Sequence, residues 1–137
     1  MSYSLWYKSS STTNPTVLES IMHKMPSTGY VREMLLVFGS TGYLAGSVGN
    51  STNSLDDVTY EVDTYDGKWH HVVFIKKYTA SGDIISLYVD GQFVEENQLP
   101  YSVPINTTDL EVGRTGISST SDRYFDGNID EVSIYDY

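Results

Sequence analysis

Carboxylates crowd the segment Glu61-Val62-Asp63-Thr64-Tyr65-Asp66, and paired carboxylates are the groups that hydrolyse glycosidic bonds. A retaining glycosidase needs its two carboxyl groups about 5–5.5 Å apart. On a strand, Glu61 and Asp63 would share a face, whereas Asp66, five residues beyond Glu61, would face the other way unless a bulge intervenes. The spacing therefore favours a solvated strand end that leads into a hairpin, and we predict a protein that is not an enzyme.

A second acidic segment, Asp126-Gly127-Asn128-Ile129-Asp130, offers hard oxygen ligands of the kind that calcium prefers. We predict a structural Ca²⁺ held by side-chain oxygens of Asp126 or Asp130 and by nearby backbone carbonyls. The segment is not an EF-hand, because the downstream bidentate glutamate is missing. The alternative interpretation is a turn that its own aspartate closes.

Tyrosine is abundant, with 12 residues in 137. Its flat apolar ring and polar tip suit contact with sugars or proteins. Tyr88 is the first candidate for ligand binding, because Leu87 and Val89 on either side of it claim the core face. Tyr43, in a glycine-rich stretch, and Tyr101, in a proline-containing one, are the other candidates. For each, the alternative is a ring buried in a strand.

Histidine and cysteine give no metal or nucleophile pattern. His70 and His71 are adjacent, so on a strand they point to opposite faces, and His23 is remote in sequence. The chain has no cysteine, which excludes disulfides and thiolate chemistry. It also lacks a Gly-x-Ser-x-Gly elbow, so a hydrolase triad has no support.

The charge of the chain excludes some classes of binding partner. Eight basic and 18 acidic residues give a formal net charge of −10, which repels phosphate backbones and anionic lipid heads. We therefore expect no nucleic-acid partner, whereas neutral glycans, divalent cations and basic protein surfaces remain. No apolar run approaches the roughly 20 residues of a membrane helix, so we expect no membrane insertion. Met1–Trp6 lacks the pattern of a signal peptide.

The elements that must position these residues are strands. Short runs with period-two alternation are separated by turns, and no long segment has helical periodicity. The predicted strands span Met1–Lys8, Val17–Met25, Val31–Phe38, Gly42–Val48, Val58–Asp63, Trp69–Lys77, Ile84–Asp90, Gln92–Glu95, Asp109–Gly113 and Tyr124–Tyr135. About ten short strands in one chain indicate a sandwich or barrel. The expected core residues are Trp69, Val73, Leu87, Val89, Ile129 and Ile134.

Three stretches in order carry a resemblance to a known family: Asp66-Gly67-Lys68-Trp69-His70-His71-Val72, then Leu87-Tyr88-Val89-Asp90-Gly91, then Tyr124-Phe125-Asp126-Gly127-Asn128-Ile129-Asp130-Glu131-Val132. Ser4-Leu5-Trp6-Tyr7-Lys8 and Leu110-Glu111-Val112-Gly113-Arg114 add to it. The sequence resembles the laminin-G-like, or concanavalin A-like lectin/glucanase, superfamily over nearly its whole length. The resemblance implies an all-β, two-sheet antiparallel jelly-roll sandwich in which Trp69 and the following histidine are structural.

The resemblance has three further implications. Relatives often hold a structural calcium near the last strand, and laminarinase-type β-glucanases place their carboxylates in a Glu-x-Asp-x-(x)-Glu strand motif that Glu61, Asp63 and Asp66 match poorly. Members usually begin with an extra strand before the Leu-Trp-Tyr-like strand. We therefore expect residues 1–137 to form a single domain, taken from a larger protein and lacking that first strand.

The function that these observations favour is a non-catalytic carbohydrate-binding or adhesion module of a larger surface, secreted or virion protein. Its partner would be a glycan or a protein surface, and its location extracellular, cell-surface or virion-associated. The alternative is a structural or protein-interaction domain of a fibre, capsid or adhesin. An endo-β-glucanase is the least favoured, because of the carboxylate spacing.

Overall fold

Strands follow one another along the chain, joined by short turns and loops. The computed structural model describes residues 1–26, 31–50, 55–115 and 123–136, and within these ranges it contains twelve strands and no helix. They are β1 (Ser2–Ser9), β2 (Glu19–Lys24), β3 (Arg32–Phe38), β4 (Leu44–Gly49), β5 (Leu55–Tyr60), β6 (His70–Thr79), β7 (Gly82–Val89), β8 (Gln92–Gln98), β9 (Glu111–Val112), β10 (Arg114–Thr115), β11 (Arg123–Tyr124) and β12 (Gly127–Tyr135). None of the described residues forms a helix of the length and apolarity that a membrane span needs.

Ten of the strands form two five-stranded antiparallel sheets. The first sheet has the order β12-β1-β6-β7-β8 and the second the order β5-β4-β3-β2-β9, while β10 and β11 form a two-stranded ribbon. The inner faces of the two sheets share one hydrophobic core. This two-sheet sandwich confirms the fold class that the period-two alternation predicted.

Alternation along each strand decides what the core contains. In the first sheet, the inward side chains are Tyr3, Leu5 and Tyr7 of β1, Val72 and Phe74 of β6, and Ile85, Leu87 and Val89 of β7, all buried. The second sheet contributes Ile21, Met22, Met34, Leu36, Phe38, Leu44, Val48 and Val58. Both faces of the core are therefore lined by aliphatic and aromatic side chains from consecutive inward positions.

The core residues predicted on β7 are confirmed, whereas some of those predicted at β6 and β12 are wrong. Leu87 and Val89 are buried, and Ile129 packs against the core while partly exposed. Trp69 and Ile134, however, are 44% and 49% exposed. Val73 is only partly buried, because Val72 and Phe74 take the inner positions of β6 and so turn residues 69, 71 and 73 outward.

The Asp90-Gly91 hairpin is confirmed between β7 and β8. Both residues have positive φ, 52° and 76°, the combination that a two-residue type I′ turn requires. The Asp90 amide donates to the His71 carbonyl, and Asp90 Oδ1 accepts from the His71 amide at 2.8 Å. The turn therefore also ties the end of β7 to the start of β6.

The strand that contains Leu5, Trp6 and Tyr7 pairs directly with the last strand. Ser2 of β1 lies opposite Tyr135 of β12, and Ser9 lies opposite Gly127, while the other edge of β1 pairs with β6. β1 therefore lies between β12 and β6 in the first sheet.

Buried tyrosines give the fold an expected sensitivity to alkali. Burial raises the pKa of Tyr3, Tyr7, Tyr65 and Tyr101 above the usual value of about 10. The folded protein therefore keeps protons that the unfolded chain releases, so their contribution to stability is fully present below about pH 10 and is lost as the pH rises above it.

We expect the urea midpoint to be level up to about pH 10 and to fall above it, with the ultraviolet absorbance of tyrosinate rising in step with unfolding. Smooth ionisation of all 12 tyrosines in a protein that stays folded would contradict the burial of these rings.

Candidate functional site

Both tryptophans of the chain lie on the outer face of the first sheet. Leu5 and Tyr7 take inner positions on β1 and turn Trp6 outward, and the alternation of β6 turns Trp69, one residue before that strand, outward as well. Their exposed fractions are 37% and 44%. Leaving so much aromatic surface in water forgoes hydrophobic stabilisation, and apolar surface of this kind often marks an interaction site.

The two indole rings share a cleft with two carboxylates. Trp6, Trp69, Asp130 and Glu131 line an open depression of about 370 Å³, which we call the Trp cleft. Its volume lies at the lower end of the range of small-molecule sites, about 300–1,000 Å³. The cleft therefore has room for one small ring-shaped ligand.

A bulge in β12 brings both carboxylates to the cleft. Ser4 pairs with Ser133 and Trp6 pairs with Asp130, so β12 has an extra residue between these two pairs. Glu131 lies at the irregularity with a positive φ of 50°, and its amide donates to Asp130 Oδ1 at 2.8 Å. Bulges re-aim side chains and often occur beside functional sites. Here the bulge lets two consecutive residues line one cleft, which a regular strand would not allow.

The Trp6 ring is held from its side by a histidine. The rings of Trp6 and His71 are 5.1 Å apart and tilted by 37°. His71 Nε2 in turn shares a hydrogen bond of 2.8 Å with Ser4 Oγ. A ring that neighbours fix in place loses less side-chain freedom when a ligand stacks on it, which favours binding.

The loop that carries Trp69 is anchored by the adjacent histidine. His70 Nδ1 lies 2.7 Å from Asp90 Oδ2, and His70 Nε2 lies 3.1 Å from Asp66 Oδ1. Lys68, followed by His70, holds the pKa of the Asp66 carboxyl well below its usual range through hydrogen bonds. His70 thus joins the turn before β6 to the turn after β7, and it keeps the backbone at Trp69 in place.

The Trp cleft combines two kinds of contact. The indole faces offer flat apolar surface, and the carboxylates of Asp130 and Glu131 accept hydrogen bonds and repel anions. A sugar ring has an apolar C–H face and a rim of hydroxyl donors, which match these two features. The sequence analysis did not identify Trp6, Trp69 or Glu131 as binding residues. For Trp6, the apolar neighbours Leu5 and Tyr7 could have indicated that its side chain points away from the core.

The three candidate tyrosines do not form one site. Tyr88 lies on the same outer face as the Trp cleft, half-buried, with its ring 5.5 Å from Phe93 at 70°. Tyr101 lies near the opposite end of β7, where its hydroxyl donates to Asp56. Tyr43 precedes β4 in the second sheet and is half-buried. Of the three, only Tyr88 adds to the aromatic face that holds the cleft.

Asp126 and Asp130 lie apart on an extended segment. Asp130 is four positions beyond Asp126, and at a rise of about 3.3 Å per residue their backbones are about 13 Å apart. Asp130 faces the Trp cleft, whereas the amide of Asp126 donates to Glu19 Oε2 at 3.0 Å. Among the described residues, no group of three or more His, Cys, Asp or Glu is arranged to hold a metal. Calcium binding at this segment, by a side-chain oxygen of Asp126 or Asp130 together with backbone carbonyls, stays a prediction.

The carboxylates considered for glycoside hydrolysis lie in an irregular segment. β5 ends at Tyr60, so Glu61 and Asp63 follow the strand rather than lying on it. Asp63 Oδ1 accepts from the Tyr65 amide at 2.9 Å, and Asp66 is tied to Lys68 and His70. These contacts stabilise the turn, and the strand motif of a glucanase is not formed by these residues.

Comparison of sequences identifies a family. A family model described as the concanavalin A-like lectin/glucanases superfamily matches residues 1–137. No curated protein sequence matches the chain.

Solved structures with the same fold include binding domains from several organisms. Domains LG4-5 of the mouse laminin alpha1 chain align at a TM-score of 0.67 and 20% identity, covering 96% of this chain and 33% of that one. The CBM40 of a Ruminococcus gnavus IT-sialidase, bound to alpha2,3 sialyllactose, gives 0.68 and 14%, covering 96% and 72%. The binding domain of botulinum neurotoxin DC, in complex with SialylT, gives 0.61 and 16%, covering 80% and 26%. This chain thus spans about a third or less of the laminin and neurotoxin chains.

Proposed function

We propose, from the premise that this chain belongs to the concanavalin A-like lectin/glucanases superfamily, that it is a non-catalytic module that binds carbohydrate in the Trp cleft. The observation that carries the proposal is the meeting of Trp6, Trp69, Asp130 and Glu131 in one exposed depression. Each side chain supplies a contact that a sugar ring needs. His71 packs against the Trp6 indole, and His70 anchors the loop that carries Trp69.

The fold neighbours support a binding role. The sialidase CBM40 is described as bound to alpha2,3 sialyllactose, and the neurotoxin binding domain as in complex with SialylT. In this chain, however, the cleft carries two carboxylates and the whole chain has a charge of −10. Because like charges repel, a sialic acid carboxylate would be disfavoured here. We therefore infer that the ligand is a neutral glycan, bound by a module that works in an extracellular or surface-exposed protein.

The test uses the position of the tryptophans. Because the chain has only two and both line the cleft, a ligand that stacks there must change the intrinsic fluorescence. We expect neutral oligosaccharides, identified on a glycan array, to shift this signal in a saturable way. Truncating Trp6→Ala or Trp69→Ala should weaken binding by about thirtyfold, from a loss of about 2 kcal/mol that is typical of a key aromatic contact.

A matched control is Tyr135→Ala, which removes another exposed aromatic ring from β12 without touching the cleft. It should leave the affinity unchanged. The proposal would be wrong if the folded protein bound no neutral glycan at millimolar concentration, or if Tyr135→Ala weakened binding as much as Trp6→Ala.

A second candidate function is protein binding along β12. This strand is the edge of the first sheet in the described part of the chain, and it exposes Val132, Ile134 and Tyr135. An exposed edge with apolar side chains can accept a strand from another chain. This agrees with a structural or assembly role in a fibre, capsid or adhesin, and light scattering that detects a stable oligomer would favour it.

A further inference from the structure

The outer face of the first sheet carries a pair of aromatic rings beyond the Trp cleft. Tyr88 of β7 lies directly opposite Phe93 of β8, and their rings are 5.5 Å apart at 70°, an edge-to-face contact. Such a cross-strand pair stabilises the hairpin that joins the two strands. Phe93 nevertheless stays 58% exposed. The pair therefore leaves aromatic surface in water on the same face as the cleft.

The register of the sheet connects this pair to the region of the Trp cleft. Ser4 of β1 lies opposite Val73 of β6, and Val73 lies opposite Tyr88. With Phe93, these residues form one row across four neighbouring strands, which we call the outer row. Trp6 is the next outward-facing residue after Ser4 on β1, so the cleft lies beside the β1 end of the outer row.

His71 lies between the cleft and the outer row. It pairs with Trp6 in the register of β1 and β6, and the two rings are 5.1 Å apart. Its Nε2 atom shares a hydrogen bond of 2.8 Å with Ser4 Oγ. Ring surface and hydrogen-bonding groups therefore follow one another without a break from Trp6 through His71 to Ser4.

The outer row carries no charge. Its four side chains are those of a serine, a valine, a tyrosine and a phenylalanine, although 19% of the residues of the chain are charged. On β12 the residue opposite Ser4 is Ser133, which is also uncharged. An ionic ligand finds no partner group here, whereas the apolar face and the hydroxyl groups of a neutral sugar match aromatic rings and serine hydroxyls.

The length of the outer row exceeds one sugar ring. β6 and β7 separate β1 from β8, so three strand spacings of about 4.8 Å place the two ends of the row about 14 Å apart. A single sugar ring in the Trp cleft cannot reach Phe93 across this distance. A chain of several linked sugars can contact both places at once.

We propose that the ligand of the Trp cleft is an extended neutral oligosaccharide whose chain continues along the outer row to Tyr88 and Phe93. This inference rests on the proposed function and adds that affinity depends on chain length. One part of the chain lies on Trp6 and Trp69, and a more distant sugar lies on the exposed ring of Phe93. A monosaccharide or a disaccharide would contact the cleft alone.

The experiment measures the affinity of the full chain by calorimetry for cello-, xylo- and laminari-oligosaccharides, each as the disaccharide and as the hexasaccharide. In a series that binds, we expect the hexasaccharide to bind about thirtyfold more tightly, because only the longer chain reaches the outer row. Additional positions of a longer chain on the cleft alone give only a severalfold gain. Phe93→Ala should weaken hexasaccharide binding by about tenfold and leave disaccharide binding unchanged.

Two further variants separate the outer row from the Trp cleft. Trp6→Ala should weaken binding of both lengths, because both contact the cleft. Tyr78→Ala is the matched control, since it removes a ring that is 74% exposed near the far end of β6, and it should change neither affinity.

Three results would overturn the inference. These are the lack of any series in which the hexasaccharide binds more tightly than its disaccharide, an equal loss for both lengths in Phe93→Ala, and a dimer that Phe93→Ala dissociates, since a second copy would then cover the outer row. The first two leave neutral-glycan binding in the cleft standing if the glycan array detects it. Absence of binding to every neutral glycan would overturn the proposed function as well.

Discussion

Replacing Tyr7 with alanine should lower the free energy of unfolding by about 3–5 kcal/mol, the usual cost of truncating a large buried aromatic residue. Tyr7 is 0% exposed, and its ring contacts those of Phe38, Phe125 and His70 at centroid distances of 5.2, 6.3 and 5.6 Å. Its hydroxyl donates to Thr64 Oγ1 at 2.7 Å. Alanine would therefore leave a cavity between the sheets and remove a buried hydrogen bond. Urea denaturation measures the loss.

Tyr7→Phe is the matched control. It keeps the ring and removes only the hydroxyl bond to Thr64, so it should cost about 1 kcal/mol. Since a domain has about 5–15 kcal/mol of stability, the alanine variant should lose a large share of it and the phenylalanine variant a small one. Equal urea midpoints for Tyr7→Ala and Tyr7→Phe would contradict the packing described for this ring.

Replacing Gly82 with alanine should be comparably destabilising, by about 2–6 kcal/mol from backbone strain and overpacking together. Gly82 has a φ of 120°, a conformation that residues with a Cβ rarely adopt. A Cβ there would collide with the Leu99 carbonyl oxygen and lie 2.8 Å from the Tyr101 amide nitrogen. Both neighbours are backbone atoms that hydrogen bonds in this region hold in place, so they cannot move aside cheaply.

Gly91→Ala is the control that separates backbone strain from overpacking. Gly91 also has a positive φ, of 76°, but a Cβ there would meet nothing within 4 Å. It should therefore cost only the strain of a left-handed residue, about 1–2 kcal/mol. If thermal melts showed Gly82→Ala to be no less stable than Gly91→Ala, the close approach of residues 99–101 to the start of β7 would be wrong.

The alternation of apolar and polar residues predicted most of the strands. It did not always predict which face of a strand points into the core. In β7, Ile85, Leu87 and Val89 are apolar and Ser86 separates them, so the inner face was predicted correctly. In β6 both faces carry apolar residues, and Val73 and Trp69 were assigned inward because hydrophobicity alone does not distinguish two apolar faces. The face of β6 that becomes buried is the one that packs against the second sheet, and this packing cannot be read from the sequence of β6 alone.

The candidate sites were harder to predict than the fold. Tyr88 was placed on the correct outer face, but Trp69 was expected in the core and Trp6 was assigned no role in binding. The contribution of Glu131 depends on a bulge in the pairing of β1 with β12, and pairing register is a property of two distant segments.

The antiparallel pairing of β1 with β12 also sets how the domain responds to mechanical load. Ser2 lies opposite Tyr135, so the two ends of the chain leave the first sheet at the same end. Tension applied through these ends therefore acts across the hydrogen bonds one after another, beginning at Ser2, instead of loading all of them at once. Strands pulled apart in this sequential geometry separate at low force. Under such tension, the pairing of β1 with β12 would open first at its outermost pair, Ser2 and Tyr135.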